Sequence, residues 1–154
     1  MSVAGGCQCG AVRFRGSALG GSGLCHCRMC QKAMGNIFGI FVTVQGLEWT
    51  RGIPAAFRSS SAAERLFCAA CGTPLAFRYD GEEAEIAVGA LDDPAAARPT
   101  REVNTEGKLP WFEALPHLPG RTPEEIARRE AEKAKIVNLQ HPDHDTAVWP
   151  KEQR

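Results

Sequence analysis

Seven cysteines in three tight groups, Cys7-Gln8-Cys9, Cys25-His26-Cys27-Arg28-Met29-Cys30 and Cys68-Ala69-Ala70-Cys71, constrain what this chain can fold into more than any other feature. Thiolates held a few residues apart converge on one ion, as a soft divalent metal such as zinc requires. The count divides as four plus three. Four sulfurs close a tetrahedron and make a structural site, whereas three leave a coordination position open, as a catalytic zinc does.

The spacings assign the groups. Cys7 and Cys9, two apart, share one face of an extended segment. Cys68-Ala69-Ala70-Cys71-Gly72 has the form of a metal knuckle, in which the glycine after the last ligand allows a positive φ while backbone N–H groups turn toward sulfur. Gly10 after Cys9 fits the same pattern. Cys7, Cys9, Cys68 and Cys71 are therefore expected to form a closed structural zinc site across a long loop, contributing folding free energy on the order of 10 kcal/mol. Cys25, Cys27 and Cys30 are expected to hold a second, catalytic zinc, giving two zinc ions per chain. Its fourth ligand is left open between water, substrate and a histidine. His26 would point away from the ion its neighbours share, and His117, His141 and His144 read as solvated tail residues before they read as ligands. Two further thiol groups make a redox dithiol the weaker account of Cys68 and Cys71. A purely structural three-cysteine site stays open as well.

A chain of 154 residues suits a small metal-clamped protein. Lys plus Arg and Asp plus Glu each total 18, so no basic field favours nucleic acid. The N-terminal residues lack the basic flank and apolar run of a secretory signal, and no stretch is apolar enough for a membrane span. The expected location is the cytoplasm, where reducing conditions keep thiols free for metal. No nucleic acid and no membrane are expected as partners, a small-molecule thiol or thiol–aldehyde adduct is, and a homodimer is left open.

Short strands broken by glycine and proline dominate the pattern. Ala11–Arg15 alternates apolar and basic residues, and 36–44, 75–79 and 85–88 are rich in β-branched and aromatic ones, so the domain reads as mainly β. Gly20-Gly21-Ser22-Gly23 reads as a flexible turn, Gly52-Ile53-Pro54 as a break and Asp92-Asp93-Pro94 as the lead into an alanine-rich turn. Phe38, Phe41 and Phe77 read as core, and Lys108 to Phe112 as a packing segment. One helix is expected late, over 124–135, with Thr122 as its cap, Pro123 in its first turn and Glu125 completing a capping box. The expected division is a zinc-binding β domain over 1–118 and a C-terminal helix with an extended tail over 119–154, the end of which wraps on the surface or stays mobile.

Cys-x-Cys-Gly-Ala-Val-Arg-Phe at 7–14, Cys-His-Cys-x-x-Cys at 25–30, Cys-x-x-Cys-Gly-Thr-Pro-Leu at 68–75 and Lys-x-Pro-Trp-Phe at 108–112 resemble the glutathione-dependent formaldehyde-activating enzyme family, which includes centromere protein V. The resemblance spans about residues 5–113. It implies the mainly β architecture called the β-tent, a structural zinc at Cys7, Cys9, Cys68 and Cys71, and a second zinc at Cys25, Cys27 and Cys30. Many members carry a histidine shortly before the lysine of the Lys-x-Pro-Trp stretch. Arg101–Lys108 has none, so substrate contacts there are expected to differ. Three thiolates on zinc suit a soft incoming thiolate, which points to a carbon–sulfur lyase that cleaves or forms a thiol–aldehyde adduct of the S-hydroxymethylglutathione type. Arg28, Gln31 and Lys32 flank the cluster and are the candidates for substrate contact, though surface solvation is the more ordinary role for each. The competing class is a zinc-stapled binding or scaffold module without turnover.

Overall fold

Strand-forming runs interrupted by turns every few residues produce two sheets in the computed structural model, which describes residues 2–148. The smaller sheet contains β1 (Val3–Gly6), β2 (Arg13–Gly16) and β5 (Glu48–Arg51), in the order β1-β2-β5 and antiparallel throughout. The larger sheet contains β3 (Ala18–Cys25), β4 (Gly39–Gln45), β6 (Ala55–Ser60), β7 (Ala63–Phe67), β8 (Pro74–Tyr79), β9 (Glu85–Ala87) and β10 (Arg101–Val103). Its order is β10-β3-β4-β9-β8-β7-β6, antiparallel except where β10 runs parallel to β3. The fold is mainly β, as the patterning predicts.

Inward side chains from both sheets form the core. Phe14, Val42, Val44, Leu75 and Ile86 are fully buried, and each such side chain contributes roughly 1.5–3 kcal/mol relative to exposure. The Phe14 and Trp49 rings meet edge to face at 5.8 Å, tying β2 to β5.

Two expectations are corrected. The glycine-rich stretch at 20–23 is not a turn but the middle of β3, paired on one side with β4 and on the other with β10. Its glycines permit close approach: a Cβ on Gly20 would overlap the Thr43 hydroxyl, and one on Gly23 would crowd the Arg101 side chain. A register shift between Leu19 and Ser22 takes up the irregularity. The helix at the end of the chain is also preceded by another, α1 (Arg28–Met34), which starts directly on the second cysteine group. Seven residues are too few to reveal helical periodicity. The Cys27 sulfur caps this helix by accepting from the Cys30 N–H, and Gly35 ends it with φ 58°.

The chain divides into two compact units, residues 2–108 with 140–148, and residues 109–139. The second unit holds α2 (Pro123–Lys133), which has the expected capping box between Thr122 and Glu125 and pairs Arg129 with Glu132 and Lys133 with Glu130. None of its residues is buried.

Candidate metal centres

The turns after β1 and β7 carry the first cysteine set. In the first turn the Cys7 N–H donates to the Val12 carbonyl at 3.0 Å, and in the second the Cys68 N–H donates to the Thr73 carbonyl at 3.0 Å. Gly10 and Gly72 take φ values of 72° and 75° just past the cysteines, a left-handed conformation that glycine adopts without steric cost. The sulfurs of Cys7, Cys9, Cys68 and Cys71 consequently lie within 4.8 Å of one another. The Val12 N–H donates to the Cys7 sulfur at 3.2 Å, and the Thr73 hydroxyl lies 3.1 Å from that of Cys71. Burial raises the Cys71 thiol, but the hydroxyl and N–H of Thr73 outweigh it and bring it down to about 6. Burial pushes Cys9 up to about 12. Four thiols this close cannot all ionise without a cation between them.

The second set joins a strand end to a helix start. Cys25 closes β3, Cys27 caps α1 and Cys30 lies in its first turn, and their three sulfurs lie within 4.8 Å of one another. Each sulfur receives a donor. The Asn104 side-chain amide reaches Cys25 at 3.1 Å, the Cys30 N–H reaches Cys27 at 3.4 Å, and Arg65 Nη2 reaches Cys30 at 3.4 Å. Burial pushes Cys30 up to about 12 despite the Arg65 guanidinium, while burial of Cys27 is outweighed by the Cys30 N–H, which draws its thiol down. In both sets the donors favour thiolate and the thiols compete for the same space, so each donor set fits a soft metal ion. The expected groupings of four and three are the ones the fold brings together.

His26, buried at the centre of the second motif, pairs through Nε2 with Glu102 at 2.7 Å, and Lys108 binds the same carboxylate at 2.7 Å. This contact anchors 101–108 beside the cluster. Gln31 is buried, with its amide donating to the backbone carbonyls of His26 at 2.8 Å and Gly107 at 3.0 Å, and its oxygen accepting from Arg28 at 3.3 Å. Lys32 lines a cavity beside α1. His117 and His144 are exposed, but His141 is not a solvated tail residue. Its N–H donates to the Gln8 carbonyl at 2.8 Å, its Nε2 lies 3.0 Å from the Thr146 hydroxyl, and its ring packs where a Cβ on Gly10 would fall.

A cavity of about 290 Å³ opens beside the three sulfurs, with Cys25, Cys27, Cys30, Arg65, Phe77 and Asn104 in its wall. Arg65 and Asn104 escape the reading of the sequence. Asn104 takes φ 53°, a left-handed conformation uncommon for any residue but glycine, which aims its amide at Cys25. Its only sequence signal is an Asn three residues before a glycine. Arg65 stands in a five-residue strand between Ala63 and Phe67, where an arginine facing inward contradicts the usual pattern. Phe41 and Phe77 do pack in the core, and they also line this cavity.

A mainly β domain that gathers two cysteine sets, each able to hold a metal ion, defines a class, and comparison with protein families gives it a name. The family described as glutathione-dependent formaldehyde-activating enzyme matches residues 2–107, and the chain belongs to it. No curated protein matches the chain. Among the described residues no helix is long and apolar enough to cross a membrane.

Proposed function

We propose that the three-cysteine centre, carrying zinc, is the reaction site of a carbon–sulfur lyase that cleaves or forms a thiol–aldehyde adduct, and that the four-cysteine centre holds a structural zinc. The observation that carries this reading is an asymmetry of count: four sulfurs converge in one set and three in the other, and the three face a cavity of about 290 Å³. Bound there, zinc would supply a vacant position and Lewis acidity toward a thiolate. Cys25, Cys27 and Cys30 would hold it, and the donors from Asn104, Arg65 and the Cys30 N–H fix the direction of the sulfurs. Phe41, Phe77 and Met29 line the space in which carbon and sulfur meet. In the forming direction the substrate sulfur adds to the aldehyde carbon, the carbonyl π pair moves to oxygen, and the thiol proton ends on that oxygen. Cleavage is the reverse. The family's name makes glutathione the first thiol to try. Free cysteines suit a reducing cytoplasm.

The test is thiol exchange. In cobalt-substituted protein, glutathione should strengthen sulfur-to-metal charge transfer in proportion to one site per chain, and Cys27→Ser should abolish the change. A spectrum indifferent to every thiol tried defeats the lyase reading and favours the zinc-stapled scaffold.

A further inference from the structure

Beside the sulfur-lined cavity lies a second one of about 480 Å³, and Met29, Phe41, Ser59 and Arg65 line both. The larger space is walled mainly by apolar side chains, among them Met34, Phe57, Leu66 and Pro74, and its charged residues are Lys32 and Arg65. At the sulfur end the charged residues are Arg65 and Glu85. Met29 and Phe57 are more than half exposed, so the combined space is a hydrocarbon-lined recess that solvent can reach. Together the two volumes fall in the range of a small-ligand site.

Arg65 is the residue this recess leaves unexplained. It is 8% exposed, with its guanidinium 4.4 Å from the Phe77 ring centre and 5.7 Å from that of Phe41. Nη2 meets the Cys30 sulfur, but Nε and Nη1 are buried without any acceptor. No carboxylate among the described residues pairs with it. Burying a guanidinium is costly, and stacking on two rings offsets only part of that cost. Balancing the thiolates accounts for one N–H. Four of the five N–H donors remain, with the nitrogens Nε and Nη1 wholly without an acceptor, on a planar group that pairs well with a carboxylate.

We propose that the substrate is an apolar thiol–aldehyde adduct with a single carboxylate, its hydrocarbon part lying between Met29 and Phe57 and its carboxylate paired with Arg65. The adduct rests on the reaction proposed above. The receptor does not, because it follows from the lining and the unpartnered guanidinium. A zwitterionic peptide with two carboxylates suits the recess less well, since one of its anionic groups would enter an apolar wall.

The probe is 3-phenylpropanoate, which has neither thiol nor aldehyde, compared with 3-phenylpropan-1-ol by calorimetric titration and ligand-observed NMR on the zinc-loaded full chain. The carboxylate should bind about tenfold more tightly than the alcohol, the worth of one charge-assisted hydrogen bond. Arg65→Met should erase that preference, and Phe57→Ala, at an exposed position, should weaken both ligands by a similar factor. Should Arg65→Met not fold, magnetisation transfer from the phenyl ring to Met29 and Phe57 in the wild type decides the placement. Equal affinities in the wild type, no binding, a preference surviving in Arg65→Met, or no transfer to either side chain overturns the inference. Thiol exchange at cobalt without carboxylate preference overturns it and leaves the lyase reading standing. The preference without thiol exchange supports the receptor and removes the reaction.

Discussion

The two cysteine sets have sulfurs at similar mutual distances but different surroundings. Residues 140–146 fold back over the four-cysteine set: His141 bonds Gln8, Arg51 donates to the carbonyls of Gly10 and Thr146, and Asp145 binds both Arg13 and Arg15. Cavities border both sets, one of about 430 Å³ at Cys7 and Cys71 and one of about 290 Å³ at Cys25, Cys27 and Cys30, but the second is lined by an exposed methionine and by a buried guanidinium without a full complement of partners. The two sets thus share ligand chemistry and differ in the number of sulfurs and in what packs around them.

The sharpest way to break this contrast is to remove one ligand from each set. Cys68→Ser or Cys71→Ser should unfold the protein or lower its melting temperature sharply, because each loosens a site that joins residue 7 to residue 71. Cys27→Ser should leave the fold largely intact, since β3 and α1 keep their other contacts. Thermal melts of the zinc-loaded variants compare them directly. Equal destabilisation would erase the division into a structural and an accessible ion.

A smaller effect is expected from the strap over the closed set. Arg13 is 2% exposed and holds Asp92 at 2.5–2.8 Å and Asp145 at 2.9–3.1 Å. Arg13→Met strands Asp92, leaves Asp145 with Arg15 alone, and should cost about 3 kcal/mol, the scale for breaking a buried ion pair. Arg15→Met, at a side chain mostly in solvent, should cost under about 1 kcal/mol. Urea denaturation of both variants gives the comparison, and similar midpoints would mean that the Arg13 pairs contribute nothing beyond surface electrostatics.

The closed site was legible in the sequence because its determinants are local. Cys-x-Cys and Cys-x-x-Cys-Gly each fold a turn by themselves, and a shared ion is what joins them. The capping box of α2 was legible for the same reason. Long-range pairing was not. That Arg65 would stand beside Cys30, or Asn104 beside Cys25, depends on the order of strands in the large sheet and on the parallel pairing of β10 with β3, which no short window encodes. The glycines of β3 misled because glycine marks both turns and close approach, and only the partner strand distinguishes them. The strap was hidden because His141 and Asp145 stand in a segment with no periodicity, and the partners that tie them to the sheet, Gln8, Arg13 and Arg15, are more than 120 residues away in sequence.

Acid should loosen that strap before it opens the site beneath, and this is the smallest of the expected effects. Burial lowers the affinity of His141 for a proton, aided by the charges of Arg13 and Arg51 and opposed by the Pro142 carbonyl. Its contribution is therefore complete above an unfolded value of about 6.5 and fades as pH falls through the lower folded one. For Asp145, burial raises the carboxyl, but Arg13 and Arg15 together hold it below its ordinary range. Its contribution is present above about pH 4–5 and is lost as pH falls through the folded value. Both signs agree, so the strap should detach in two stages, with the histidine first. The protection factor of the His141 amide, which is bonded to Gln8, should fall as pH drops below about 6.5, while that of the Cys68 amide bonded to Thr73 is kept. Asp145→Asn should speed exchange at His141 already at neutral pH by several-fold and leave Cys68 unchanged. If the two amides lose protection together across this range, the strap is not an independent layer but part of the metal site itself, and the contrast between the two centres must be drawn from the number of sulfurs alone.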